Sequence, residues 1–430
     1  MFHKIISTIG ARVGLAGISF VLLWAVAKYF GPAGTGEVRL LMLNISIILL
    51  FTSFLGGPNL VYLVPRTNLF KLVVNAYWWA VVTSAAVTGV LWLLNQTYST
   101  GALNLFLISA LQAATVVHHM VLVGKEDIRQ YNIVSLLHAV LMLGVFGFNM
   151  FVLDNWRVSS YVWALYVASG LSLLYSIPVT WKYITIGPLK GLLQVVREAL
   201  RYGFYNQVGN IAQLLNYRFS YYLLESLSAK GLADVGVYSI GVNLAEALWI
   251  VQRAIGVVQY GRISNTSDRE YQVKLTVSLM KVSGMFVLLM VIPLMLIPAS
   301  LYELVFGAGF GDSRTAVICL SPGIVAFAVS GMLSGFFAGT GKHHINTIAS
   351  GAGLAITLGL GLWLIPQHGL IGAGVTASVS YCLSTLVQLG VFMRSEKVGF
   401  MAMVPNASDG RELLSLVRAY LRKNGQETEA

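Results

Sequence analysis

The chain has 430 residues, of which 57% are hydrophobic and only 10% are charged. A soluble domain carries about a quarter charged residues, and a soluble chain of this size could not bury so much apolar surface. The composition therefore excludes an ordinary soluble protein and favours a membrane protein. The formal net charge of +11 does not predict a nucleic-acid partner, because membrane proteins gather Lys and Arg in their cytoplasmic loops.

Twelve apolar segments are each long enough to cross a bilayer core of about 30 Å as a helix of about 20 residues. Transmembrane strands would be about half as long and would alternate in polarity, so the sequence predicts an all-α integral membrane protein. The first segment contains Arg12, continues past Ala27 and has no small-residue cleavage site, so we predict a retained helix rather than a signal peptide. The predicted spans are 5–27, 40–64, 72–94, 103–123, 131–153, 160–181, 203–224, 235–259, 276–298, 313–338, 345–365 and 370–393.

Most Lys and Arg residues fall in alternate loops, which predicts a multi-pass protein with both termini in the cytoplasm. The longest internal loop, 182–202, is basic and separates six spans from six. The predicted domains are an N-terminal lobe 1–181, the inter-lobe segment 182–202, a C-terminal lobe 203–393 and a cytoplasmic tail 394–430. Within the tail, 410–423 has one apolar face, which is typical of a helix on the membrane surface.

Two pairs of short segments indicate a repeat between the halves. FGPAGTGEV before the second span is similar to KGLADVGVYS before the eighth, and LVPRTN after the second span is similar to QYGRIS after the eighth. Six helices in each half would insert both halves in the same orientation. The similarities therefore favour a parallel repeat, an arrangement that some transporters use.

Polar side chains are concentrated in the seventh span, around Arg218. A charge at the centre of a bilayer costs about 2.5–3.5 kcal/mol and usually faces a cavity or a partner. Amides in the same span must meet another helix or water, because lipid tails offer no hydrogen bonds. Two interpretations remain open: Arg218 pairs with Glu225 or backbone carbonyls, or the stripe lines a hydrated path. The amides are Asn206, Gln207, Asn210, Gln213 and Asn216.

Further charged residues lie inside predicted spans, among them Arg12 in the first span, and Glu246 and Arg253 in the eighth. Glu246 is predicted to be the only carboxylate well inside a span, and it could pair with Arg253 or Arg218. Arg12 could instead extend toward the inner membrane surface. Because Arg is a good bidentate donor to phosphate, cations in both halves suit an anionic cargo better than a cationic drug.

No cofactor or metal site is predicted. GFFAGTGKHH differs from a phosphate-binding loop in the spacing of Gly335, and His343 stands where Ser or Thr is required. The adjacent pairs His118-His119 and His343-His344 point to different helical faces, which disfavours a shared metal. Without a nucleotide site, the expected energy source is an ion gradient or the membrane potential, and the sequence does not identify the ion.

Four motifs, in this order and spacing, resemble polysaccharide flippases of the Wzx type over essentially the whole chain. Their superfamily also contains MATE-type multidrug antiporters and the lipid II flippase. Many relatives carry an Asp two residues after the Arg of helix seven, whereas this chain has Ser220. The motifs are KYFGPAGTGEV, LNYRFSYYLLESLSAKGLADVGVYSIGVNLAEAL, LYELVFGAGFGDS and HGLIGAGVTASVS.

The resemblance implies a MATE-like fold of two six-helix lobes around a central cavity. It also implies a flippase of undecaprenyl-pyrophosphate-linked oligosaccharide in the bacterial cytoplasmic membrane, serving surface polysaccharides such as O-antigen or exopolysaccharide. Its partners would be this substrate, membrane lipids, and neighbouring polymerase and glycosyltransferases. The residues expected to contact substrate are Arg12, Arg218, Arg253, Asn210, Gln213 and Asn216, with Glu246 balancing the charge of the empty site.

Two alternatives follow from the same residues. A multidrug or cation antiporter on the same scaffold would need carboxylates in its first six helices, where none is predicted well inside the membrane. A membrane glycosyltransferase or polymerase would need a sizeable polar loop with catalytic carboxylates or histidines, and the predicted outer loops are short. We therefore expect a transporter rather than an enzyme.

Overall fold

The computed structural model describes residues 2–97, 100–187 and 192–404, and within these ranges every regular element is a helix. The prediction of an all-α membrane protein is therefore confirmed. Eight described helices are long and apolar enough to cross a membrane, and the bent pair α8–α9 makes a ninth candidate. The helices are α1 Phe2–Gly56, α2 Pro58–Leu63, α3 Leu69–Leu93, α4 Ala102–Gly124, α5 Ile128–Phe151, α6 Val158–Trp181, α7 Leu192–Leu227, α8 Leu232–Ala247, α9 Trp249–Ser264, α10 Arg269–Leu296, α11 Ala299–Phe306, α12 Ser313–Gly339, α13 His343–Glu396 and α14 Phe400–Met403.

Helix α13 contains two predicted spans, and helix α1 contains the first predicted span and residues 40–56 of the second, which continues through α2. α1 has 55 residues and α13 has 54, which at about 1.5 Å per residue is enough for two crossings. Gly31 (φ 66°, ψ −173°) interrupts α1, and Gly369 (φ 49°, ψ −122°) interrupts α13. Glycine adopts such positive φ values without steric cost, so the chain changes direction at a single residue instead of through a loop.

The second predicted span needs a correction at its start. It was predicted to begin at residue 40, but helix resumes at Pro32, directly after Gly31. Proline suits the first turn of a helix because its φ is already helical and its missing N–H has no partner there. Glu37 and Arg39 therefore lie within helix α1, and Oε1 of Glu37 is buried. Glu37 lies before the predicted second span of 40–64, close to the point where helix α1 resumes at Pro32.

The chain forms two compact units. The first consists of Met1–Leu214, Lys230–Val237 and Tyr302–Phe310, and the second of Leu215–Ala229, Tyr238–Leu301 and Gly311–Ala430. The chain thus passes between units inside α7 and α8, whereas the predicted boundary was the basic segment 182–202. The predicted surface helix at 410–423 lies outside the described residues.

Each unit has its own apolar core. In the first unit, α1, α5 and α6 bury Ile45, Phe146 and Ala168, which are at most 1% exposed. In the second unit, α12 and α13 bury Phe336 and Phe392, whose rings pack edge to face with centroids 4.9 Å apart. These cores fix the helices that carry the polar side chains discussed below.

Asp127 joins the start of α5 to the end of α6. Its carboxylate accepts hydrogen bonds from the Gln130 N–H, from Lys182 Nζ at 3.0 Å and from the Tyr183 hydroxyl at 2.8 Å. Burial alone would raise the pKa of this carboxyl, but the hydrogen bonds from Tyr183 and Lys182 outweigh it and hold the pKa below its ordinary value. The carboxylate therefore stays ionised as an N-cap and ties Lys182 to the bundle.

The two segments proposed as a repeat, FGPAGTGEV and KGLADVGVYS, contact each other in the first unit. Gly31 and Gly231 both have positive φ, and helix begins directly after each. A Cβ on Gly36 would lie 1.9 Å from the Leu232 carbonyl oxygen, and a Cβ on Gly236 would lie 1.9 Å from the Pro32 carbonyl oxygen. The contact is reciprocal, and only glycine at both positions permits this approach of the two backbones.

Replacing Gly236 with alanine is expected to destabilise the protein, because the added methyl group would meet backbone and not a movable side chain. Overpacking of this kind costs about 1–3 kcal/mol. The matched control is Gly144→Ala on α5, where an added Cβ meets nothing within 4 Å. Thermal unfolding in detergent should show a lower Tm for Gly236→Ala and an unchanged or higher Tm for the control. Equal Tm values would contradict the assigned contact.

Candidate functional site

Arg218 and Glu246 form a bidentate ion pair inside the second unit. Arg218 Nη1 donates to Glu246 Oε1 at 2.7 Å, and Nη2 donates to Oε2 at 2.6 Å. The two side chains are 22% and 12% exposed, so the pair is largely removed from solvent. The partner of Arg218 is therefore Glu246 rather than Glu225. Glu246 also supplies from the next helix the carboxylate that Ser220 does not offer.

The carboxylate of Glu246 lies next to the bend between α8 and α9. The two helices meet at 45°, and Glu246 stands one residue before the end of α8. Directly after the bend, Trp249 donates its indole N–H to the Ile324 carbonyl at 3.1 Å, which anchors the start of α9 to α12. Glu246 therefore projects from a helix end that is held on both sides of the bend.

Aromatic side chains surround the ion pair. The Arg218 guanidinium lies 5.6 Å from the centre of the Tyr221 ring, within the range of a cation–π contact. On the neighbouring helices, the rings of Trp249 and Phe327 have centroids 4.5 Å apart, and Tyr217 packs edge to face on Phe327 and on Tyr381. The guanidinium is thus held in an orientation from which its fork can bind a planar anionic group.

Asn216 is 2% exposed and belongs to a polar network between α7 and α13. Its side-chain oxygen accepts a hydrogen bond from the Thr357 hydroxyl at 2.8 Å and another from the Ser380 hydroxyl. Ser380 Oγ also lies 2.8 Å from the Gly353 carbonyl oxygen, so its single hydroxyl proton is shared between these two acceptors. In this arrangement the Asn216 oxygen is engaged within the unit, and its predicted contact with substrate stays a prediction.

The remaining predicted residues lie on three helices. Arg12 is exposed on α1 and Arg253 is exposed on α9, and neither forms an ion pair with a described residue. Asn210 donates to Gln207 Oε1 at 3.4 Å, and Gln207 in turn donates to the Leu50 carbonyl at 2.7 Å. Gln213 is half-buried on α7. The structure therefore brings Arg218 and Glu246 together, and it gives Asn210 a hydrogen bond inside the first unit.

The sequence analysis missed a basic cavity of about 310 Å³ in the first unit. Arg39 and His138 line it together with Tyr161, Ser19 and otherwise mainly apolar side chains, and no carboxylate belongs to the described lining. Nε of Arg39 is buried. The missed signal was FGPAG, because a helix beginning at Pro32 carries Arg39 into the bundle.

His118 is engaged in hydrogen bonds on both ring nitrogens. Nε2 contacts the Tyr77 hydroxyl, and Nδ1 lies 2.6 Å from Ser176 Oγ. Because Ser176 Oγ donates to the Leu173 carbonyl at 2.9 Å, it accepts from Nδ1–H, which assigns the proton of a neutral ring to Nδ1. His118 therefore connects α3, α4 and α6 as a packing residue.

Comparison with known proteins shows which of them share the fold of this chain. The chain matches no known family profile. An uncharacterized membrane protein of Methanocaldococcus jannaschii is 23% identical over 201 residues, a match that covers 46% of this chain and 39% of that relative. The chain thus spans about two fifths of the length of the curated relative that it matches.

Solved structures match over nearly the whole chain. The lipid II flippase MurJ in an inward closed conformation has a TM-score of 0.68 at 14% identity and covers 98% of this chain and 93% of its own. A MOP superfamily transporter from Pyrococcus furiosus, described as having a binding pocket of reverse polarity, has a TM-score of 0.65 at 15% identity and covers 92% and 95%. An inward-facing MATE family multidrug resistance transporter has a TM-score of 0.65 at 14% identity and covers 87% and 92%. The chain therefore has the fold of MOP-superfamily transporters, which MATE multidrug transporters and a lipid II flippase share.

Proposed function

We propose that the protein is a flippase that moves undecaprenyl-pyrophosphate-linked oligosaccharide from the inner to the outer leaflet of a bacterial cytoplasmic membrane. The observation that carries the proposal is the polarity of the cavity in the first unit, where Arg39 and His138 occur without a carboxylate in the described lining. A half-buried arginine in such a lining favours an anionic ligand, and the pyrophosphate is the anionic part of such a substrate. The motifs that resemble Wzx-type flippases supply the class of glycan lipid.

The Arg218–Glu246 pair supports the same function in the second unit. In the proposed cycle, the pyrophosphate competes with Glu246 for the guanidinium fork of Arg218, so that the pair is closed when no substrate is bound. Arg12 and Arg253, both exposed, would offer further contacts to the phosphates. No covalent bond is made or broken in this cycle, so it needs no catalytic residue. An ion gradient or the membrane potential would drive it.

A multidrug or cation antiporter is the second candidate, and Glu37 is the observation that favours it. Oε1 of Glu37 is buried in the first unit and has no hydrogen-bond partner among the described residues. A buried carboxylate would suit a cationic drug or a proton. However, Arg157 lines the same cavity as Glu37, and an arginine there opposes the entry of a cation.

Deletion of the gene tests the proposed function. A flippase mutant should accumulate one lipid-linked oligosaccharide on the inner leaflet, and the wild-type gene should clear it. The control is efflux of a cationic dye from intact cells, which should be unchanged. Unaltered lipid-linked glycans together with lost dye efflux would overturn the flippase and support the antiporter.

The proposed orientation, with both termini in the cytoplasm, is tested by cysteine labelling. In a background with Cys319→Ser and Cys382→Ser, an impermeant maleimide applied to intact cells should label cysteines introduced at Gln96, Asn155 and Gln367. It should not label cysteines introduced at Lys125, Gly187 and Lys342 until the cells are permeabilised. Labelling at Lys125 in intact cells would reverse the orientation and with it the proposed direction of transport.

A further inference from the structure

A second and larger cavity, of about 720 Å³, lies in the first unit and shares no lining residue with the cavity of Arg39. Its polar lining includes Glu37 from α1, Asn104 from α4 and Arg157 at the start of α6. Trp163 and Tyr166 of α6 supply an aromatic wall. The volume is within the range of pockets that hold small organic ligands, about 300–1,000 Å³.

Two opposite charges line this cavity, and neither forms an ion pair with a described residue. Oε1 of Glu37 is buried and accepts no hydrogen bond from a described residue. Arg157 lines the same cavity and forms no ion pair with a described residue. A buried carboxylate oxygen without a hydrogen-bond donor raises the free energy of the folded protein. A ligand that donates a hydrogen bond to Glu37 would remove this cost, which would favour its binding.

One ring of the aromatic wall, Tyr166, is held in place by hydrogen bonds. The Tyr166 hydroxyl donates to Asn104 Oδ1 at 2.7 Å, and Asn104 Nδ2 donates to the Thr100 carbonyl at 2.6 Å. The Trp163 ring lies next to Tyr166, with centroids 6.1 Å apart, and 60% of its surface is exposed. The cavity thus offers a fixed flat apolar surface beside a carboxylate and a guanidinium.

This combination selects for a neutral polyhydroxylated ligand. A net cation would be attracted by Glu37 but repelled by Arg157, and a net anion would experience the reverse. Hydroxyl groups satisfy both, because they donate to the carboxylate and accept from the guanidinium. The apolar face of a sugar ring can lie on Trp163, as aromatic rings take apolar surface on their faces. We propose that this cavity, lined by Glu37, Arg157, Trp163 and Tyr166, is a saccharide-binding site.

The position of the cavity relates it to transport. Thr100 and Arg157 directly precede α4 and α6, on the side of the membrane that the charge distribution predicts to be outer. A glycan that has crossed would therefore meet this site as it leaves. This role rests on the proposed function, but saccharide binding itself is measurable without transport, so the two can fail separately.

The test measures binding of three disaccharides, maltose, lactose and N,N′-diacetylchitobiose, to the full chain in detergent by saturation-transfer difference NMR and titration. At least one should bind the wild type. Glu37→Gln, which keeps the shape but removes the charge, should weaken that binding about tenfold, and so should Trp163→Ala. The matched control is Trp92→Ala on α3, which removes an indole that is 58% exposed and does not line the cavity.

Two results would overturn the proposal. The first is that none of the three disaccharides binds, or that each binds Trp163→Ala as tightly as the wild type while the Tm values agree. The second is that a short-chain phosphatidylethanolamine binds in a Glu37-dependent manner and the disaccharides do not, which would make the cavity a lipid-headgroup site. If Glu37→Gln loses export but still binds saccharide, Glu37 does not belong to the saccharide site. The proposed flippase function would not be contradicted by that result.

Discussion

Arg218→Ala is expected to abolish export of the lipid-linked glycan. The guanidinium is the group proposed to bind the pyrophosphate, and alanine retains neither its charge nor its planar fork. Arg218→Lys should restore export only in part, because an ammonium keeps the charge but cannot make the bidentate contact. Surface polysaccharide and inner-leaflet intermediates, each normalised to the amount of protein in the membrane, measure the effect.

Loss of export by Arg218→Ala alone would not identify a transport role, because the change also strands Glu246. Breaking one side of a buried ion pair costs about 3–5 kcal/mol, since the remaining charge has no partner. Both groups are mostly buried, so this cost applies to the pair. The double variant Arg218→Met, Glu246→Gln removes both charges at similar volume and should fold close to the wild type.

The double variant separates the two roles. If Arg218 binds substrate, the double variant reaches the membrane at wild-type levels with an unchanged Tm and still does not export. If it regains export together with protein level, the ion pair only holds α7 to α8, and the proposed contact with pyrophosphate is wrong.

The helical fold was predictable because the spans are long and apolar over lengths that only a membrane helix uses. The predicted spans 103–123 and 313–338 differ from α4 and α12 by one residue at most at either end, since Gly and turn residues mark those ends. The second span was placed eight residues late. A single residue, Gly31, makes the turn, and Pro32 then starts the helix, so no polar loop separates the two spans.

The charged pair was only partly predictable. The sequence identified Arg218 and Glu246 as buried charges, because each interrupts an apolar segment, but it left the partner of Arg218 open between two glutamates. The choice depends on how α8 packs against α7, which brings Glu246 to Arg218 and which no local propensity encodes. Arg39 was missed for a related reason: it belongs to the site only because the helix begins at Pro32, and its distance to His138 of α5 is a property of the packed bundle.

Arg39→Gln is expected to lower glycan export at least tenfold without lowering Tm. A hydrogen bond to a charged group contributes about 1.5–3 kcal/mol, so loss of one Arg–phosphate contact corresponds to roughly a tenfold to hundredfold weaker interaction. Glutamine keeps hydrogen-bonding capacity in the half-buried position, so the fold should tolerate it. Arg39→Lys should retain part of the export. The matched control is Arg129→Gln, which changes an exposed arginine at the start of α5 that does not line the cavity.

The charge-reversed variant Arg39→Glu distinguishes the two candidate functions at the same position. In a flippase, a carboxylate beside His138 would repel the pyrophosphate, so export should fall below that of Arg39→Gln. In a cation antiporter, the same change would make the cavity more attractive to a cationic dye, so efflux from intact cells should rise. Equal export by Arg39→Gln, Arg129→Gln and the wild type, at equal protein levels, would show that this cavity does not contact the cargo. The anionic-ligand argument would then rest on Arg218 alone.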